Sequence, residues 1–222
     1  SSSVGNTNML SDYAAIKNGS YGKLMKAYYA KQDAEKLSGK GDTSQKLTLM
    51  KTSADSLKKS ADALNDSSLW EKKKIKKKDE KTGEEIEVED YDWDKITKAV
   101  KSFVEDYNDV VKEAGESNTK DVLRNASWMT GMTDKNSNML AKIGITIGKG
   151  NKLELDEDAL KQADISSLKT VFTGYNSFVS KISQKATGIS NAANRASATY
   201  TNNGTYSKTD SSLTSSKIDK EV

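Results

Sequence analysis

The sequence predicts a mainly α-helical protein, an elongated antiparallel helical bundle or coiled coil that carries two small β-hairpins. Two segments repeat apolar residues at alternating steps of three and four, which is the spacing of a helical seam. Only 34% of the 222 residues are hydrophobic and 30% are charged, a composition that suits helices burying a narrow stripe. The chain also contains no proline, the residue that most strongly interrupts a helix.

The composition restricts the chemistry as well. The chain has no cysteine and no histidine, so it lacks disulfides, thiolate nucleophiles and the commonest neutral-pH base and metal ligand. We therefore expect a non-enzymatic protein with no catalytic residue, no metal site and no cofactor. The net charge of +3 is too balanced for nucleic acid as the main partner. No apolar run reaches the roughly 18 residues that a membrane span needs.

The N-terminal part is polar and then aromatic. The polar residues 1–8 are expected to form a flexible lead. The first residue is serine and not methionine, so we expect the chain to be a processed product. A short helix from Met9 to Asn18 and a second one from about Tyr21 to Leu37 follow. The second helix carries a cluster that packs into the core in one interpretation and binds a partner in the other: Tyr21, Leu24, Met25, Tyr28 and Tyr29.

The first clear seam predicts a helix from Thr43 or Ser44 to Leu64, and either of the first two residues is a suitable N-cap. Its apolar residues are spaced 3, 4, 3, 4 and 3 apart. They are Leu47, Met50, Ala54, Leu57, Ala61 and Leu64.

Residues 67–92 predict a β-hairpin inserted after that helix. A lysine-rich run precedes a turn at residues 81–83, and an acidic run in which Ile86 and Val88 alternate with glutamates follows it. The lysines could bind a polyanion, but we favour their pairing with the facing acidic strand. Trp70 and Trp93 bracket the hairpin, and we expect them to pack on each other.

A second seam predicts a helix from near Lys95 to Gly115, antiparallel to the first. Asp92 or Asp94 is the expected N-cap, and Trp93 is expected to cover the end of the bundle rather than to bind carbohydrate. The residues of this seam are spaced alternately four and three residues apart. They are Ile96, Val100, Phe103, Tyr107, Val110 and Ala114, with Val104 and Val111 beside them.

Short elements come next. Helices are expected over residues 119–129 and 135–143, and then a small hairpin over residues 143–156 that turns at Gly150 and Asn151. The acidic residues 156–158 lack the spacing of a calcium loop, and we interpret them as the cap of a following helix. The glycines of this hairpin do not fit a phosphate-binding loop, so we expect a turn with close backbone approach.

The last predicted helix runs from about Ile165 to Tyr200, and residues 201–222 predict a flexible tail. Gly174 and Gly188 weaken the helix locally. We place Tyr175 on its apolar stripe, and Phe178, Ile182 and Ile189 are candidate partner-binding residues on the same stripe. Residues 9–200 therefore form one expected bundle domain.

Two stretches resemble the flagellar filament cap protein family of the hook-associated type. SFVEDYNDVVKEAGE, residues 102–116, is similar to a recurring helix of that family. LAKIGITIGKGNKLELDEDALKQA, residues 140–163, is similar to its hairpin and following helix. The resemblance covers roughly residues 96–185. The family has a large β-rich insertion between its terminal helices, where this chain has only the hairpin over residues 67–92.

The resemblance implies a structural protein that is exported and self-associates through its terminal helices. The implied partners are other copies of the chain, other flagellar axial proteins and an export chaperone. The implied location is extracellular, on the flagellum or the cell surface. An adhesin-like interaction module built on the same helical scaffold remains the alternative.

Overall fold

The computed structural model describes residue 30 and residues 41–213, with side chains as far as residue 199. The helices and strands of this part form a mainly α structure with two small sheets, as the sequence predicts. They are α1 Ser44–Leu64, β1 Lys73–Lys78, β2 Glu85–Asp90, α2 Trp93–Gly115, α3 Lys120–Lys135, α4 Ser137–Ala141, β3 Ile145–Ile147, β4 Leu153–Leu155, α5 Glu157–Gln162, α6 Ile165–Phe172 and α7 Phe178–Leu213. The predicted helix Met9–Asn18 and, residue 30 apart, the predicted second helix lie outside the described residues.

Helix α1 has the predicted limits and the predicted buried face. The side chain of Thr43 accepts a hydrogen bond from the backbone N–H of Lys46, which caps the first turn. All six residues of the predicted seam are buried, together with Ser60. The 3/4 spacing therefore identified the packing face of this helix correctly.

Helix α2 begins at Trp93, two residues before the expected start, and ends at Gly115 as predicted. Asp92 is its N-cap and accepts from the N–H of Lys95 at 3.1 Å. All eight predicted seam residues are buried. At the centre of this seam the Tyr107 hydroxyl donates to Thr133 Oγ1 at 2.7 Å, which joins α2 to α3.

The core is one cluster of apolar side chains shared by the long helices. Helix α1 packs on α2, as predicted, but its more extensive partner is α7, and α3 also packs on α7. Burial of each large apolar side chain in this cluster is worth about 1.5 to 3 kcal/mol.

The predicted hairpin after α1 is confirmed. Strands β1 and β2 pair antiparallel, from Lys73 opposite Asp90 to Lys78 opposite Glu85. The turn between them contains Gly83, whose φ of 72° suits glycine. Residues 67–70, the beginning of the predicted hairpin region, form a 3-10 turn instead of a strand.

The second hairpin also has the predicted strands and turn. Ile145 lies opposite Leu155 and Ile147 opposite Leu153, with Gly150 and Asn151 both at positive φ in the connection. Gly144 provides the expected close backbone approach, because a Cβ on this residue would lie 2.6 Å from the carbonyl oxygen of Asp156.

The predicted helix from Ile165 to Tyr200 is divided into α6 and α7. Gly174 adopts a φ of 99° between them, and its N–H donates to the side chain of Asn65 at 2.8 Å. Because of this break Tyr175 leaves the predicted apolar stripe and is 82% exposed. Gly188 remains helical, and α7 continues to Leu213, past the expected end at Tyr200.

The expected contact between Trp70 and Trp93 is replaced by two other contacts. Trp70 stacks on Phe172 with ring centroids 5.5 Å apart, and its indole N–H donates to the carbonyl of Leu64. Trp93 meets Tyr91 edge-on at 6.2 Å and is half-buried against the core. Trp70 thereby links the end of α1 to α6.

Candidate assembly surface

The predicted partner-binding residues fall into two groups. Tyr21, Leu24, Met25, Tyr28 and Tyr29 lie outside the described residues. Phe178, Ile182 and Ile189 are 3%, 0% and 0% exposed. In this structure the three α7 residues contribute to the core of the chain itself, so another copy cannot reach them while the bundle is closed.

A repeated polar contact accompanies the apolar seam between α1 and α7. The hydroxyl of Ser183 donates to Asp62, and the hydroxyl of Ser190 donates to Asp55. The oxygen–oxygen distance is 2.6 Å in each case. The second oxygen of each carboxylate accepts from a lysine one turn earlier on α1, Lys58 or Lys51. One heptad separates the two contacts on each helix, so they fix a single antiparallel register.

These contacts also change the acidity of the aspartates. Burial on its own raises the pKa of Asp55 and of Asp62. The hydrogen bonds from lysine and serine together outweigh burial, so the net pKa of each carboxyl lies below 3.8. The ionised form is therefore the one that the α1–α7 interface stabilises.

The register leaves the C-terminal part of α7 beyond the body. It places residue 201 opposite Ser44, the first residue of α1. Core burial along α7 ends at Ala193, and Asn194 and Arg195 are exposed. At 1.5 Å per residue, residues 202–213 extend α7 about 18 Å past the end of α1. This extension is the first candidate surface for assembly.

Asp42 lies at the same end of the body, just before the first residues of α1. Its carboxylate accepts hydrogen bonds from the hydroxyls of Ser117 and Thr119 and from the N–H groups of Asn118 and Thr119, all within 3.1 Å. Thr119 is the N-cap of α3 but caps nothing with its own side chain. Asp42 therefore ties residues 117–119, which precede α3, to the segment before α1.

The hairpin of β1 and β2 is the second candidate surface, and we name residues 73–90 the charged ribbon. On one face Lys74, Lys76 and Lys78 lie opposite Glu89, Glu87 and Glu85. On the other face Ile75 lies opposite Val88 and Lys77 opposite Ile86, which is 39% exposed. Ion pairs join Lys74 to Glu87 and Lys77 to Asp90, which supports the expectation that the lysines pair with the acidic strand.

Trp128 is an exposed aromatic residue that the sequence analysis did not select. It lies on α3, is 51% exposed, and has the Lys185 ammonium of α7 4.3 Å from its ring centroid. The signal that could have identified it is its position off the apolar stripe of α3, whose buried residues include Val122, Ala126 and Met129.

The polar clusters considered as ligand sites have structural roles. Asp156 accepts from the N–H of Ala159 as an N-cap, and Glu157 pairs with Lys101 at 3.3 Å. Among the described residues no group of acidic side chains is arranged to hold a metal ion. A pocket beside Asp42 and Lys46 has a cavity volume of about 10 Å³, far less than a small-molecule site has. No helix within the described part has the length and hydropathy to cross a membrane.

Comparison with known proteins gives one family match. Residues 117–221 match the family model described as flagellar hook-associated protein 2 C-terminus. The match contains the hairpin stretch 140–163 on which the sequence resemblance was based, and it begins directly after the other stretch, 102–116. Neither the curated proteins nor the solved structures gave a match.

Proposed function

We propose that this chain, whose residues 117–221 are similar to the C-terminal region of flagellar hook-associated protein 2, is a non-enzymatic structural subunit of the flagellar filament cap type. In this role it is exported, lies at the tip of the filament outside the cell, and associates with other copies and with flagellar axial proteins. An export chaperone is a further proposed partner.

The family match is the observation that carries this proposal. It covers α3 to α7, so it includes the hairpin of β3 and β4 and the long terminal helix. The fold is compatible with a structural role, because the aspartates at positions 42, 55, 62 and 156 form helix caps, ion pairs and hydrogen bonds between segments.

The extension of α7 supports self-association through the terminal helix. The apolar residues of α7 up to Ala193 are occupied inside the chain, whereas residues 202–213 lie beyond the end of α1. An extended helical end can pack against the corresponding helix of a neighbour. Neither the described residues nor the comparisons add support to the adhesin alternative.

The test is whether export of the native protein depends on the flagellar export apparatus. Cells with and without a functional apparatus are compared for the protein in the medium and in the cytoplasm, with a protein secreted by the general route as control. Retention in the cytoplasm together with normal secretion of the control is the expected result. Unchanged appearance outside the cell would overturn the flagellar assignment.

A further inference from the structure

The charged ribbon has two edges of opposite sign. Strand β1 contains five lysines in six residues, and strand β2 contains four acidic residues in six. Each strand pairs only with the other among the residues that the structure describes. The outer edge of β1 is therefore basic, the outer edge of β2 is acidic, and half of the backbone groups on each edge point away from the ribbon.

The ribbon has no extensive contact with any helix in the described part of the chain. Ile86 is exposed on the face that contains Ile75 and Val88. An isolated two-stranded ribbon is only marginally stable in water. Additional strands would lengthen the row of apolar side chains and bring more lysines next to glutamates.

We infer that the ribbon is a docking edge for a second copy of this chain, in which the basic β1 edge of one copy pairs antiparallel with the acidic β2 edge of the next. Within one ribbon the β1–β2 register already places Lys74, Lys76 and Lys78 opposite glutamates. The same chemistry across the molecular boundary places glutamates on both sides of each lysine.

The sign of the charges selects this arrangement over the alternatives. Pairing of β1 with another β1 places lysines opposite lysines, and pairing of β2 with another β2 places acids opposite acids, so both are repulsive. Lys78 and Glu89 have no ion pair within the described part of the chain and are available to a neighbour. The favoured contact is head-to-tail, which generates a ring or a filament and not a closed two-fold dimer.

One added strand pair buries less surface than the roughly 1,000 Å² of a stable independent interface. The ribbon contact therefore rests on the proposed self-association, which holds neighbouring copies close and raises their effective concentration. It is a second contact, separate in the chain from the extension of α7.

The absence of cysteine in the chain allows a direct test. The full chain carrying Lys76→Cys is mixed, under mild oxidation, with the chain carrying Glu85→Cys, Glu87→Cys or Glu89→Cys, and disulfide-linked dimers are measured. We expect at least one mixture to give about tenfold more cross-linked dimer than any single variant oxidised alone, and the yield to fall at high salt. Predominant cross-linking in a single variant would overturn the head-to-tail pairing.

A charge-swapped ribbon is the matched control. It carries Lys74→Glu, Lys76→Glu and Lys78→Glu together with Glu85→Lys, Glu87→Lys and Glu89→Lys, so its internal pairing is preserved. Within this background, cysteine probes at position 76 and at the β2 position that cross-links in the native mixtures should cross-link with each other. A native probe at position 76 should fail to cross-link with a swapped probe at that β2 position, because both strands are then basic. Cross-linking that ignores the swap would overturn a charge-selected edge.

Sedimentation of the same samples separates the two proposals. Oligomers that form without cross-linking in any mixture leave self-association standing and overturn the ribbon contact. Monomers at every soluble concentration without cross-linking overturn both.

Discussion

The hydroxyl of Ser190 on α7 donates a 2.6 Å hydrogen bond to the carboxylate of Asp55 on α1, joining two residues that lie 135 positions apart. Ser183 and Asp62 repeat this contact one heptad away. The two contacts accompany the apolar seam and fix its register. They belong to the most extensive helix–helix contact among the described residues, that of α1 with α7.

We expect removal of either hydroxyl to weaken this interface. Ser190→Ala and Ser183→Ala should each lower the free energy of unfolding by about 1 kcal/mol, since each aspartate is about half exposed and keeps its lysine. Urea denaturation measures the change. Thr199→Ala, on the exposed surface of α7, is the control and should have a smaller effect. Equal stability of the Ser190 variant and the native chain would show that the contact contributes nothing.

The same aspartates predict acid sensitivity. Hydrogen bonds outweigh burial at Asp42, Asp55 and Asp62, so the pKa of each is below 3.8 in the folded chain. Their stabilisation is present above the unfolded value and is lost as the pH falls through the folded pKa. We therefore expect the free energy of unfolding to decrease as the pH falls from about 5 to below 3.

Asp106 has a raised pKa, opposite to the lowered pKa of the three other aspartates, and serves as the internal control. Burial, with smaller contributions from Asp109 and Glu105, raises its pKa, so its protonation favours the folded state as the pH falls. Asp106→Asn should steepen the loss of stability in acid, and the double variant Ser183→Ala with Ser190→Ala should make it shallower. Parallel stability curves for all three proteins, measured by denaturation between pH 3 and 7, would contradict the assignment.

Asp42 is expected to matter more than a surface residue. Asp42→Ala removes the carboxylate that accepts from two backbone N–H groups and two hydroxyls just before α3, and we expect a cost of about 2 kcal/mol. Asp66→Ala is the matched control, because Asp66 caps only a short 3-10 turn at the surface. Thermal unfolding compares the two. A larger loss for the Asp66 variant would refute the stabilising role of the Asp42 hydrogen bonds.

Substitution of two glycines in the second hairpin distinguishes the cost of backbone strain from the cost of a steric clash. Both Gly144 and Gly150 have positive φ, but only at Gly144 would a Cβ meet backbone atoms, those of Asp156 and Leu160, within 3 Å. We expect Gly150→Ala to cost about 1 kcal/mol and Gly144→Ala about 3 kcal/mol or more. Denaturation midpoints give the comparison. Similar losses in the two variants would argue against the close approach at Gly144.

Truncation separates folding from assembly. Removal of residues 201–222 spares every described core residue, since core burial on α7 ends at Ala193. We therefore expect native circular dichroism, a small change in melting temperature and loss of self-association in sedimentation. Substitution of Ile182 by Asp is the contrasting variant and should unfold the chain, because Ile182 is fully buried. Normal assembly of the truncated chain would exclude the terminal helix as the main contact.

The sequence predicted those parts of the fold that depend on local periodicity. Leu57 and Val100 lie in regular 3/4 patterns, and the structure buries both. The stacking of Trp70 on Phe172 could not be predicted, because it depends on how distant helices meet. Gly174 was identified as a weakness in a helix, but only its positive φ shows that the helix ends there. The serine–aspartate contacts have no periodic apolar signal, so they were missed as well.

The pairing of α1 with α7 determines when the chain can become a folded protein. The apolar face of α1 is made first, whereas residues 178–193, which pack on it, follow more than a hundred residues later. A nascent chain without them cannot complete its core, so closure waits until these residues have left the ribosome. Until then the apolar face of α1 stays accessible to other molecules.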